Sequence, residues 1–230
     1  MLILRYPEVK NNNGKGLKMA NLLTILRMIL CIIAVEFLFS GRPELALSSF
    51  FITLLVVILD GLDGVVARAL NEQSEFGSVF DIIGDRVVEN LYWIAFAGLG
   101  WVGIWVPMAV VTRGILTDGL RSIALSKGFT AFGEHSMMKN KFMHFLTASR
   151  ISRAVYGTAK VLAFLAVIIA NIPNVEFLDI LTIEQHQIFI AIQPKLILFA
   201  DILVYITVAM CIIRGIPVLI ESKRYIDDKK

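Results

Sequence analysis

The sequence predicts an all-α integral membrane protein of six transmembrane helices. The 230-residue chain is 57% hydrophobic, and its mean hydropathy is +0.74. Its apolar residues gather into six stretches, each near the ~20 residues that cross a bilayer. An ordinary soluble domain does not have this composition. One membrane domain over 21–220 is the simplest organisation, with a juxtamembrane cytoplasmic segment over 1–20 and a cytoplasmic tail over 221–230.

The stretches run over roughly 21–40, 45–66, 78–99, 102–125, 154–172 and 196–219. Pro43, Pro107, Pro173 and Pro194 fall at or near their junctions, where helix-ending residues belong. The fourth stretch carries Arg113, Asp118 and Arg121, so its C-terminal half must face protein or water. Basic residues concentrate in three connections: Arg5 to Lys18, Lys127 to Arg153, and Lys223 to Lys230. The positive-inside rule makes all three cytoplasmic. Six spans with both termini inside also place the turn between the second and third stretches on that side. A bacterial inner membrane is the expected compartment. The first twenty residues are polar and basic, which suits anionic headgroups and argues against a secretory signal. An amphipathic helix is expected through Met137 to Leu146. Cys31 and Cys211 lie in apolar stretches and read as buried free thiols.

Against this background, four aspartates between residues 60 and 85 stand out. A carboxylate at membrane depth costs on the order of 2.5–3.5 kcal/mol unless paired or bound to a cation. Asp60, Asp63, Gly64 and Ala67 share one helix face; Gly77, Asp81 and Asp85 share a face of the next helix. A helical hairpin lets the two acidic faces meet, with Gly61, Gly64 and Gly77 leaving room for close approach. Clustered carboxylates repel one another unless cations neutralise them, and an all-oxygen ligand set selects hard ions, Mg²⁺ or Mn²⁺. Arg68, one turn past the acidic face, can fork onto phosphate oxygens.

The pattern Asp60-x2-Asp63-Gly64-x2-Ala67-Arg68-x8-Gly77-x3-Asp81-x3-Asp85 resembles the signature of the CDP-alcohol phosphatidyltransferases. The resemblance implies a six-helix core with a cytoplasm-facing active site and two divalent cations, Mg²⁺ or Mn²⁺. It implies that Asp60, Asp63, Asp81 and Asp85 are metal ligands, and that Asp85 is also the catalytic base. It assigns Gly64, Arg68 and Ser74 to the CDP portion of a CDP-diacylglycerol donor. Asn21 and Thr24, followed by Arg27, are similar to a stretch that contacts the nucleotide in the family. On physical grounds alone Asn21 also reads as a helix N-cap, and Thr24 as bonding back to its own helix. Dimers are common in that family, so a homodimer is an admissible assembly.

The acceptor side is read from cations. Arg113, Arg121, Arg153 and Lys160 suit an acceptor that is itself a phosphate; the alternative is that they pair with Asp118, Glu89 or lipid phosphates. Arg113 to Arg121 and Gly157 to Lys160 resemble the phosphatidylglycerophosphate synthase branch, which implies glycerol 3-phosphate. This chain departs from that branch at Gly114, Thr158 and Val161. Inositol phosphate, serine and phosphatidylglycerol stay open as acceptors. The expected partners are thus CDP-diacylglycerol, a phosphorylated alcohol and membrane lipid, with no nucleic acid. A divalent-cation transporter is the rival of a different class, but the nearly apolar outer halves of spans two and three offer it no path. Arg214, near the end of span six, reads as snorkelling to the surface. Scattered His135, His144 and His186 suggest no site.

Overall fold

The computed structural model describes residues 19–70, 72, 74–126, 145, 149–172 and 183–226. The described residues form six helices. They are α1 (Met19–Phe39), α2 (Pro43–Ala69), α3 (Glu75–Gly98), α4 (Trp105–Ser126), α5 (Arg150–Asn171) and α6 (Ile183–Ile226). Their order and places match the six apolar stretches. Windows within α1, α2, α5 and α6 are long and apolar enough to cross a membrane, which marks an all-α multi-pass membrane protein. The helices α3 and α4 have 24 and 22 residues but interrupt their apolar runs with charge. The segment through Met137 to Leu146 (apart from Phe145), His135, His144 and most of 1–20 lie outside the described residues, as do 227–230.

Local chemistry accounts for the helix ends that matter to the site. Pro43 starts α2, where its missing N–H is not needed. The helix closes with the Leu70 N–H donating to the Val66 carbonyl at 2.9 Å. Ser74 then caps α3 by accepting the Gly77 N–H at 3.1 Å, so the polar turn is tight and α3 begins immediately. Pro107 lies in the first turn of α4 rather than ahead of it, a position that tolerates proline. Pro194 does not end a helix as expected. It lies inside α6, which runs 44 residues and also takes in Pro217. Each proline removes one intrahelical donor, and the apolar run on both sides carries the helix through. Residues 183–194, expected as part of a connection, are therefore helical.

The core sits away from the acidic turn. Tyr92, Trp93, Phe96 and Phe164 interlock there, with Phe164 centred 4.9 Å from both Tyr92 and Trp93. Small polar groups join the first three helices. Ser49 donates to the Ala34 carbonyl at 2.9 Å, and the Thr53 and Tyr92 hydroxyls share a 2.8 Å bond. Outward faces stay apolar: Phe51, Leu55 and Ile58 on α2 and Ile202, Tyr205 and Ile206 on α6 are exposed, as lipid contact requires.

The helix α1 packs against both α2 and α3, which have little direct contact with each other. The acidic faces therefore meet across α1, not across a bare hairpin. Gly61 has no neighbour within 4 Å of where a Cβ would stand, so it makes no room for packing. Gly77 does allow close approach, with a Cβ there 3.3 Å from Asn21 Oδ1, and the tightest is at Gly84, where a Cβ would come within 2.6 Å of Thr24 Cγ2 and 3.0 Å of Arg27 Nη2. Gly84→Ala should destabilise the detergent-solubilised protein by about 1–3 kcal/mol, read as a lower thermal midpoint, because Thr24 has no flexible end to yield.

Candidate active site

Three helices supply the centre. Carboxylate oxygens of Asp60 and Asp63 on α2 and Asp81 on α3 lie within 4.8 Å of one another. Between them stands a residue that the family motif does not contain: Arg27 of α1, only 1% exposed. Its Nη1 pairs with Asp60 and donates to Asp85 at 2.9 Å; its Nη2 donates to Asp81 at 2.6 Å and lies 3.8 Å from Asp63. All four predicted aspartates thus converge on one guanidinium. Asp63 is 6% exposed, and its Oδ2 has no hydrogen-bond partner. An orphaned buried carboxylate oxygen beside two further carboxylates fits a hard divalent cation. Asp85 stands outside that group of three and is held by Arg27.

Two cavities abut this centre and share no lining residue. The larger, about 260 Å³, is bounded by Asn21, Thr24, Asp63, Gly64, Arg68, Ser74 and Asp81, among others. Every residue expected to hold CDP therefore lines one cavity, together with two of the aspartates. Asn21 is not an N-cap, since α1 begins at Met19. Thr24 does bond back, donating to the Ala20 carbonyl at 3.2 Å. The smaller recess, about 50 Å³, lies deeper along the same helices. Arg27, Asp60, Asp85 and Lys160 bound it with an apolar wall of Val56, Val57, Val88, Val161 and Phe164.

Beyond Asp85 lies a second charged cluster. Glu89 is buried, continues the Asp81–Asp85 face, and accepts a 2.5 Å bond from the Tyr156 hydroxyl. Arg86 Nη1 donates to it at 3.2 Å, and Lys160 Nζ is 3.9 Å away. Arg86 also grips Asp118 with bonds of 2.9 and 3.3 Å, joining α3 to α4. Three cations surround the Tyr156 ring: Arg113 at 5.9 Å, Lys160 at 6.0 Å and Arg214 at 5.4 Å. Arg113 and Lys160 are thus brought together as expected. Arg121 turns instead to Asp118 at 3.6 Å, and Arg153 is exposed. Arg214 does not snorkel outward: it is 9% exposed and donates to the Ser152 hydroxyl. Gly215 makes room for Arg113, since a Cβ there would come within 2.8 Å of the Arg113 side chain.

Sequence reasoning missed Arg86 and Tyr156 and read Arg214 only as a surface anchor; its alternative of cations paired with Glu89 and Asp118 holds for Lys160 and Arg121. Glu89 carried a signal, falling one turn past Asp85 on the acidic stripe. Arg27 carried one too, one turn past Thr24.

The comparisons agree with this geometry. The profile of the CDP-alcohol phosphatidyltransferase family matches residues 17–213, and the chain belongs to that family. Among named relatives, a CDP-diacylglycerol–glycerol-3-phosphate 3-phosphatidyltransferase of Cereibacter sphaeroides is 28% identical over 111 residues, 46% of this chain and 50% of the relative. A protein of the same name from Mycoplasma genitalium is 29% identical over 127 residues, 48% of this chain and 54% of the relative. A Mycobacterium bovis protein provisionally named a cardiolipin synthase is 28% identical over 120 residues, 51% of this chain and 56% of the relative. The chain thus spans about half the length of these relatives.

Tyr156→Phe removes the hydroxyl that satisfies buried Glu89. It should cost about 1–3 kcal/mol of stability, read by thermal unfolding in detergent.

Proposed function

We propose that the protein transfers the phosphatidyl group of CDP-diacylglycerol to the primary hydroxyl of glycerol 3-phosphate, giving phosphatidylglycerophosphate and CMP. The observation that carries this reading is the 260 Å³ cavity, which joins the five CDP-contacting candidates to Asp63 and Asp81. The acceptor reading rests on Arg113 and Lys160 around Tyr156, with Arg214 beside them. Arg113 Nε is buried without a hydrogen-bond partner, a donor suited to an anionic oxygen. Arg27 amid the carboxylates is at odds with a cation-conducting path.

In the proposed step, the acceptor oxygen bonds to the β-phosphorus, which carries the diacylglycerol. The bond from that phosphorus to the bridging oxygen breaks, and CMP departs. Asp85 takes the hydroxyl proton; it faces the deeper recess together with Lys160, on the acceptor's side. Asp60, Asp63, Asp81 and Asp85 would hold two divalent cations, Mg²⁺ or Mn²⁺, which neutralise the pyrophosphate and polarise the phosphoryl group when bound. Asn21, Thr24, Gly64, Arg68 and Ser74 orient the cytidine diphosphate. In this reading all six helices cross the membrane, both termini are cytoplasmic, and the larger cavity opens toward the cytoplasm. The lysine-rich flanks support that orientation.

The test is CMP release by the purified full chain with CDP-diacylglycerol, Mg²⁺ or Mn²⁺, and a panel of acceptors. Glycerol 3-phosphate should be preferred over inositol phosphate, serine and phosphatidylglycerol. Preference for another acceptor would overturn the acceptor assignment alone; silence with every alcohol would overturn the activity. Asp85→Asn should lower turnover roughly 10²–10⁴-fold while CDP-lipid still binds. Arg113→Ala should raise KM for glycerol 3-phosphate and leave KM for the donor unchanged.

A further inference from the structure

The Arg27 guanidinium occupies the ground that incoming metal must share. It reaches the side chains of Asp60, Asp63, Asp81 and Asp85, within 4 Å in every case. It also donates from Nη2 to the Asp81 carbonyl at 3.1 Å. No other side chain forms an ion pair with these four aspartates among the described residues. One positive charge cannot balance four carboxylates, and the hydrogen bonding is incomplete on both sides. Arg27 Nε is buried without a partner, and so is Asp63 Oδ2. Most buried polar groups are paired, so an unpartnered donor and acceptor side by side call for an explanation. Arg27 holds the carboxylates together but leaves the pairing unfinished.

We infer that Arg27 is a positioning residue of the metal centre, a displaceable internal cation that gathers the aspartates before metal enters and competes with it. This rests on the metal-ligand reading of the aspartates. Divalent ions carry more charge per site and take carboxylate oxygens at shorter range, so they displace the guanidinium rather than join it. Arg27 therefore sets the apparent metal affinity and keeps the metal-free helices from splaying under like-charge repulsion.

The test uses the full chain in detergent micelles, titrated with Mn²⁺ alone and followed by calorimetry and thermal unfolding. Arg27→Met keeps the length of the side chain and removes its charge. Loss of a positive charge next to the incoming cation should make the variant bind Mn²⁺ tighter, on the order of tenfold. Its metal-free form should melt below the metal-free wild type, and Mn²⁺ should raise its midpoint by more. Arg27→Lys, which keeps a single point charge, should fall between the two, and it serves if Arg27→Met does not fold. Equal or weaker Mn²⁺ binding by the variant that folds would overturn the inference while leaving the metal site standing. No Mn²⁺ binding by wild type or variant would overturn the metal site itself.

Discussion

Four carboxylates gathered on one buried guanidinium in an apolar bundle are the constraint on which the structure turns. Each is costly at membrane depth, and together they repel. Three helices solve the problem jointly: α2 and α3 contribute the negative charge, and α1 contributes the Arg27 guanidinium that holds it. The tight turn capped by Ser74 sets α3 against α2 in sequence, but α1 sets their faces in space. Gly84 is small because the guanidinium and Thr24 pass directly over it.

A second balance follows one turn further along α3. Glu89 is fully buried and would be untenable alone, yet Tyr156, Arg86 and Lys160 satisfy it from three directions. Arg86 ties the same carboxylate to Asp118, so α4 is registered against α3 by charge as much as by packing. The stripe Asp81, Asp85, Glu89 thus grades from half-buried carboxylates on the acidic centre to a buried one that ties helices together.

Much of this was legible in the sequence. The six helices follow the apolar stretches closely, because bilayer thickness fixes span length. The aspartates fall on one face of each of α2 and α3, as their spacing predicts, and α1 brings Asn21 and Thr24 to the same locality. What was hidden depends on tertiary contact. Pro194 reads as a helix end when only its missing donor is weighed, but a long apolar run continues past it. Arg214 reads as a surface anchor when its neighbours are unknown; the Tyr156 ring and Ser152 hydroxyl that hold it belong to α5. Gly84 carries no motif signal at all, since its role exists only once α1 crosses α3.

The smaller recess has a further meaning. Valine and phenylalanine form one wall of it, and Arg27, Asp60, Asp85, Tyr92 and Lys160 complete its lining. Water is itself a competent nucleophile toward an activated phosphoric anhydride. Under the proposed activity, the apolar wall beside Asp85 would give stray water less to hold it there than a wholly polar pocket, which would favour transfer over hydrolysis. If that activity holds, scarcity of water on the apolar side would count for as much as the placement of any single charge.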